Sequence, residues 1–146
     1  MKKSRRIEVE FLIHDVSRLR KNAFDQRMKH LNITLSQWWV LCGIPRDADE
    51  GITQTMLATD LNLGKVALGG LIDRLEERGF VERHPDEIDR RINRISLTRK
   101  GEAILDRMKH VGVDINAKVM KDISFERQDT LGEILDYMKA NLVSLK

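Results

Sequence analysis

Hydrophobic and polar positions follow two different rhythms along this chain. Residues 6–31 contain no proline or glycine, and Phe11, Leu12, Val16, Leu19, Phe24 and Met28 recur there among charges. The spacing predicts one long helix whose apolar residues cover more than a narrow stripe. A helix buried on two sides serves either a domain core or a subunit interface. Thr34-Leu35-Ser36-Gln37 fits a capping box, in which the Thr hydroxyl and the Gln amide satisfy each other's orphan backbone amides. The helix it opens carries Trp38, Leu41 and Cys42 on one face and stops near Gly43 and Pro45. Residues 45–51, with Asp47, Asp49 and Glu50, read as an acidic loop.

Two short helices come next. Thr53 is placed to cap the first, with Leu57, Ala58 and Leu61 inward. Asn62-Leu63-Gly64 predicts a tight turn, because Asn and Gly tolerate the left-handed conformation. The second helix spans about 65–78, and Leu68, Leu71, Ile72 and Leu75 form its core stripe until Gly79 ends it. Beyond that glycine the period becomes two. Val81-Glu82-Arg83 and Arg94-Ile95-Ser96-Leu97 predict antiparallel strands, joined by a polar hairpin tip over 84–93 that contains Asp89-Arg90-Arg91. Thr98 begins another long helix. Ser124 caps a last one carrying Leu131, Ile134, Leu135, Met138 and Leu142.

Composition narrows the choice of function. The chain has 146 residues, the size of one ordinary domain, and no apolar run approaches a bilayer span. The start of the sequence does not read as a secretory signal, and the single cysteine, Cys42, excludes a disulfide framework. A reducing cytoplasm is the expected compartment. His14, His30, His84 and His110 lack metal-ligand spacing, so no metal or cofactor is expected. No nucleophile–base pair, phosphate loop or carboxylate dyad occurs at a usable spacing, which sets an enzyme aside. The net charge of +3 is a weak field for nucleic acid, so placement of charge matters more than its sum. Residues 1–30 alone hold nine Lys/Arg against four Asp/Glu.

Two short helices with a tight turn, then a hairpin, make a winged helix-turn-helix: a mainly α fold with a small β wing. The second helix is buried on one side only, so its other face is free for a major groove. The hairpin tip carries guanidinium groups toward an adjacent minor groove, whose potential attracts Arg. The long flanking helices cannot bury both faces within one chain, which implies a homodimer presenting two reading helices to two half-sites.

Several stretches together resemble the MarR family of transcription regulators: Leu35-Ser36-Gln37-Trp38-Trp39-Val40-Leu41, Thr53-Gln54 with Leu57-Ala58, and Leu71-Ile72-Asp73-Arg74-Leu75-Glu76. Gly79-Phe80-Val81-Glu82-Arg83, Asp89-Arg90-Arg91, Leu97-Thr98 and Gly101 continue the match in order. The resemblance implies a single domain over 1–146, with dimerisation helices at 1–31 and 102–146 and the winged region at 32–101. It further implies binding to a pseudo-palindromic operator in double-stranded DNA, usually as a repressor, and release by a small ligand, commonly an aromatic acid.

Carried onto these residues, Arg91 is similar to the family's minor-groove arginine and Asp89 to the carboxylate that orients it. Outside such a scaffold the same run is an ordinary solvated ion pair. Arg90 is placed to meet phosphate, with Arg94 and Lys100 as weaker candidates. Arg74 resembles a phosphate-contacting arginine, and Thr53 and Gln54 are placed to donate to phosphate. The reading helix departs from the family pattern, since Lys65-Val66-Ala67-Leu68-Gly69-Gly70 offers almost no side-chain donors for base edges. Val66 and Ala67 suit thymine methyls, and Gly69 and Gly70 permit close backbone approach. Otherwise those glycines only weaken the helix, by about 1 kcal/mol each relative to Ala.

Phe11, His14 and Arg18 on the first helix, with Trp38, Trp39 and Cys42 on the second, form the candidate crevice for an aromatic carboxylate. Core packing is the competing role for these residues. Cys42, read as a buried thiol without a basic neighbour, argues against redox sensing. A module used only for protein contacts or dimerisation is the competing function for the whole chain, favoured by the apolar reading helix and opposed by the exposed Arg and Lys residues.

Overall fold

A computed structural model describes residues 4–47 and 49–145. Helix α1 spans Ser4–Arg27, and a 3-10 turn follows at Lys29–Leu31. Then come α2 (Leu35–Cys42), β1 (Ile52–Thr53), α3 (Gln54–Asp60), α4 (Lys65–Glu77), β2 (Val81–Pro85), β3 (Asn93–Leu97), α5 (Arg99–Val119) and α6 (Phe125–Val143). No helix among the described residues is long and apolar enough to cross a membrane. Two compact units are present, one ending at Gly112 and the other starting at Val113, so α5 contributes to both.

In the first unit, Phe24, Met28, Val40, Leu41, Leu57, Leu68, Ile72, Leu75, Val81, Ile95 and Met108 are buried around α2 and α4. The capping box at α2 forms as expected: Thr34 Oγ1 accepts from the Gln37 amide, and Gln37 Oε1 accepts from the Thr34 amide. Thr53 and Ser124 likewise cap α3 and α6 by accepting from the amides of Met56 and Arg127. At the end of α4 the Phe80 amide donates to Leu75 O and the Gly79 amide to Glu76 O. That paired pattern requires a left-handed residue, which Gly79 supplies with φ 75°. Asn62, at φ 53°, does the same for α3. Gly64 does not share that role: its backbone is extended and it stands as the N-cap of α4.

Several expectations need correcting. The first helix ends at Arg27 rather than running to 31, because Asn32 turns left-handed at φ 52° after the 3-10 turn. Leu61 and Leu71 are half-buried, at the edge of the core stripe rather than inside it. The wing is longer than expected, its strands pairing Val81 with Leu97 through Pro85 with Asn93, which leaves only 86–92 as the tip. A third strand was also missed. Ile52 and Thr53 pair with Ile95 and Arg94, giving the sheet order β1-β3-β2.

Phe24 and Trp38 stack with ring centroids 4.9 Å apart. Exposed apolar residues concentrate on α1 (Val9, Phe11, Leu12, Val16, Leu19) and, in the second unit, on α6 (Leu131, Ile134, Leu135, Leu142).

Candidate nucleic-acid interface

The wing tip is organised by two carboxylates. Asp86, nearly buried, accepts from the backbone amides of Ile88 and Asp89 and from Arg94 Nε. The Asp89 amide and the Arg94 guanidinium hold its carboxyl below the usual carboxylate range. Asp89 in turn accepts from Arg91 Nε at 3.0 Å and Nη2 at 2.9 Å, and from the Arg91 amide at 3.1 Å. This fork lowers the Asp89 pKa, and the Asp89 carboxylate raises that of Arg91. The Arg91 side chain is nonetheless 90% exposed. A guanidinium fixed in one rotamer but still solvated forfeits little conformational freedom when it meets an anion. Arg90 is exposed beside it.

Arg94 and Lys100, expected as weaker phosphate contacts, are engaged inside the fold. Arg94 binds Asp86 and Gly51 O, fastening the wing to the acidic loop. Lys100 Nζ donates to Arg78 O at 2.7 Å and stands over the Phe80 ring.

Sequence reasoning missed the residue that joins the wing to the helices. Arg83, on β2, pairs through Nη1 with Asp73 at 2.7 Å and Glu76 at 3.0 Å, both on α4. Its Nε reaches Gln54 Oε1 at 3.4 Å and its Nη2 reaches Gly69 O at 3.4 Å. Arg83 thereby offsets two acidic residues of the helix that would face DNA and orients Gln54. Gln54, Thr55 and Lys65 then share a notch of about 240 Å3 with Arg91, Ile92 and Asn93 of the wing. Thr53 lies next to this notch, its hydroxyl oxygen accepting from Met56 N.

The remaining reading-helix candidates divide between two sides of α4. Lys65 borders the wing notch, and a Cβ on Gly69 would lie 3.6 Å from Gln54 Nε2. Val66, 91% exposed, lies with Ala67, Gly70 and Arg74 along a second, larger cleft of about 680 Å3. Arg20 from α1 and Leu35, Ser36 and Trp39 from α2 complete much of its wall.

The expected six-residue crevice is not assembled. Trp39 lines the large cleft, whereas Trp38 and Cys42 line a different one of about 420 Å3 with Arg46, Leu105 and Lys109. Phe11 and His14 are exposed, and Arg18 is occupied by Asp15 at 3.2 Å. None of these three lines either cleft. Successive residues of a helix point about 100° apart, so adjacent indoles address different surfaces. Arg20 is the α1 residue that reaches the cleft. Cys42 also differs from expectation, being exposed and near the basic Arg46. Desolvation by its surroundings still outweighs Arg46 and pushes the thiol pKa up.

A helix-turn-helix whose reading helix is followed by a β wing and tied to it by Arg83 defines the winged helix-turn-helix class. Residues 33–92 match the model of the MarR family. A mutant of MarR from E. coli, solved with operator DNA, is 30% identical, with a TM-score of 0.81 over 90% of this chain and 94% of that one. The S. aureus MepR–DNA complex gives a TM-score of 0.83 over 90% of this chain and 96% of that one, at 22% identity. The transcriptional regulator SlyA gives 0.81 over 92% and 93%, at 23% identity. At those two identities the likeness concerns the fold. This chain belongs to the MarR family.

Proposed function

We propose that the protein is a cytoplasmic transcription regulator that binds a pseudo-palindromic operator as a homodimer, acts by occluding a promoter, and is released by a small apolar acid. The observation that carries this reading is Arg91, fixed by Asp89 yet exposed, across a notch from Lys65 and Gln54. Minor-groove insertion suits such a guanidinium, while α4 enters the adjacent major groove. Lys65, Arg74 and Arg90 supply phosphate contacts, with Thr53 and Gln54 at the edge of the same notch. Val66 and Ala67 offer methyl contacts to thymine, and Gly69 and Gly70 allow close approach.

Two further features support the remaining parts. Exposed apolar residues on α1 and on α6 suit burial against a second copy, since such contiguous patches mark interaction surfaces. Nothing in the sites described calls for catalysis, and the function is one of binding. The acid-binding site is reassigned from the expected six residues to the cleft of Arg20, Trp39 and Arg74. A ligand there must favour the DNA-free state to change anything.

The test is selection from random duplex DNA at near-physiological salt. An enriched inverted repeat, with half-sites about one helical turn apart, is expected. Arg91→Ala lowers affinity for that repeat and leaves the oligomeric state intact. Purely salt-sensitive binding without enrichment would favour the protein-contact module instead.

A further inference from the structure

The cleft between α1, α2 and α4 shares residues with the surface assigned to DNA. Val66, Ala67, Gly70 and Arg74 line it and also form the exposed side of the reading helix. Its volume of about 680 Å3 is that of a small-molecule site. Trp39, 51% exposed, supplies an apolar wall, while Arg20 and Arg74 bring two guanidinium groups from different helices. Gly70 adds an independent observation. A Cβ there would meet nothing within 4 Å, so packing inside the protomer does not require glycine in the middle of this helix. Its cost relative to Ala, about 1 kcal/mol, is borne where the cleft is widest open to an outside group.

We infer that this cleft takes a monoanionic carboxylate with an apolar body and that its occupancy excludes DNA directly. Arg74 serves the carboxylate in one complex and a phosphate in the other. The inference rests on the DNA-binding reading above and replaces a change in lobe separation with simple competition for shared atoms. The two mechanisms differ in a measurable way. Mutually exclusive ligands raise the apparent Kd for DNA in proportion to ligand concentration without limit. Ligands coupled through conformation raise it only to a plateau set by the coupling, typically about 5–150-fold.

The experiment uses the full chain, 2-naphthoate as probe and a fluorescein-labelled duplex carrying the selected repeat. Equilibrium dialysis gives the affinity for 2-naphthoate, and anisotropy gives that for DNA. The apparent Kd for DNA is expected to rise about 100-fold at a hundred times the naphthoate Kd, with no levelling. Uncharged 2-naphthalenemethanol binds at least about tenfold more weakly, because it cannot pair with guanidinium. Gly70→Val and Arg20→Gln each lower naphthoate affinity about tenfold or more, and two variants guard against one that fails to fold. A plateau with naphthoate retained in the DNA complex would overturn direct exclusion and leave the DNA-binding reading standing. Failure of naphthoate to bind at millimolar concentration, or equal binding to folded Gly70→Val and Arg20→Gln, would overturn the site. Absence of DNA binding altogether would remove the underlying reading itself.

Discussion

Replacing Arg83 by Met keeps the aliphatic stem and removes the guanidinium that joins the wing to α4. Two contacts near 3 Å are lost, to Asp73 and Glu76, together with two long ones at 3.4 Å. Asp73 is 62% exposed and Glu76 40%, so solvent screening limits each pair to well under 1 kcal/mol. With the weaker bonds to Gln54 and Gly69, the total is about 1–2 kcal/mol. For a chain of this length that lowers the Tm by about 3–6 °C, measured calorimetrically. DNA affinity falls as well, for a separate reason. A unit charge about 10 Å from a phosphate contributes about 0.4 kcal/mol in water, and several phosphates lie within that reach of a docked helix. Losing Arg83 therefore costs about 1 kcal/mol, or about fivefold in Kd by fluorescence anisotropy. Asp73→Asn in the Arg83→Met background is expected to recover part of the affinity without recovering the Tm. Unchanged Tm and Kd in Arg83→Met would refute the role of this network. An unrestored Kd in the double variant would refute the electrostatic part alone.

Other outcomes follow from the same geometry. Arg91→Ala leaves the Tm within about 1 °C, since its side chain is almost fully solvated, while operator affinity falls about tenfold or more; equal losses in scrambled duplexes would reduce it to a phosphate contact. The lowered pKa of Asp86 implies stability that is present above the ordinary carboxylate value and disappears as pH falls through the lowered one, so a pH titration of Tm for Asp86→Asn converges on wild type only in strong acid. Gly101→Ala would place a Cβ against the Phe80 carbonyl, and overpacking of about 1–3 kcal/mol should appear as reduced urea resistance. Cys42 is accessible but its thiol is raised, so iodoacetamide labels it in the native state with a pH midpoint above that of a free cysteine.

What could be read in the sequence was local. The capping box at Thr34–Gln37, the stop at Gly79 and the alternation at Val81–Arg83 depend on neighbours a few residues apart, and each formed. Arg83 escaped because its partners lie on α3 and α4, at separations that carry no periodic signal. Strand β1 escaped because two residues cannot display a period. The crevice was misassembled for a geometric reason: Trp38 and Cys42 lie four apart and share a cleft, while Trp39 pairs with Leu35 and Ser36 on another side. Residue type suggested the chemistry, but helical phase decided which residues meet.

The short pairing of Ile52 and Thr53 with β3 closes a circuit in the backbone, because everything from α3 through the wing lies between those two strands. The sheet cannot be completed until both helices and the hairpin have been traversed and brought home. Such a closure, between residues distant along the chain, puts a loop-entropy cost ahead of its reward. The recognition elements should therefore appear and disappear as one cooperative block. In native-state hydrogen exchange, the amides of β1 and β3 would open with the helix-turn-helix rather than before it. A sequence inserted into the 86–92 tip would lie outside this circuit, so new wing specificities can be tried there without unfastening the helices they accompany.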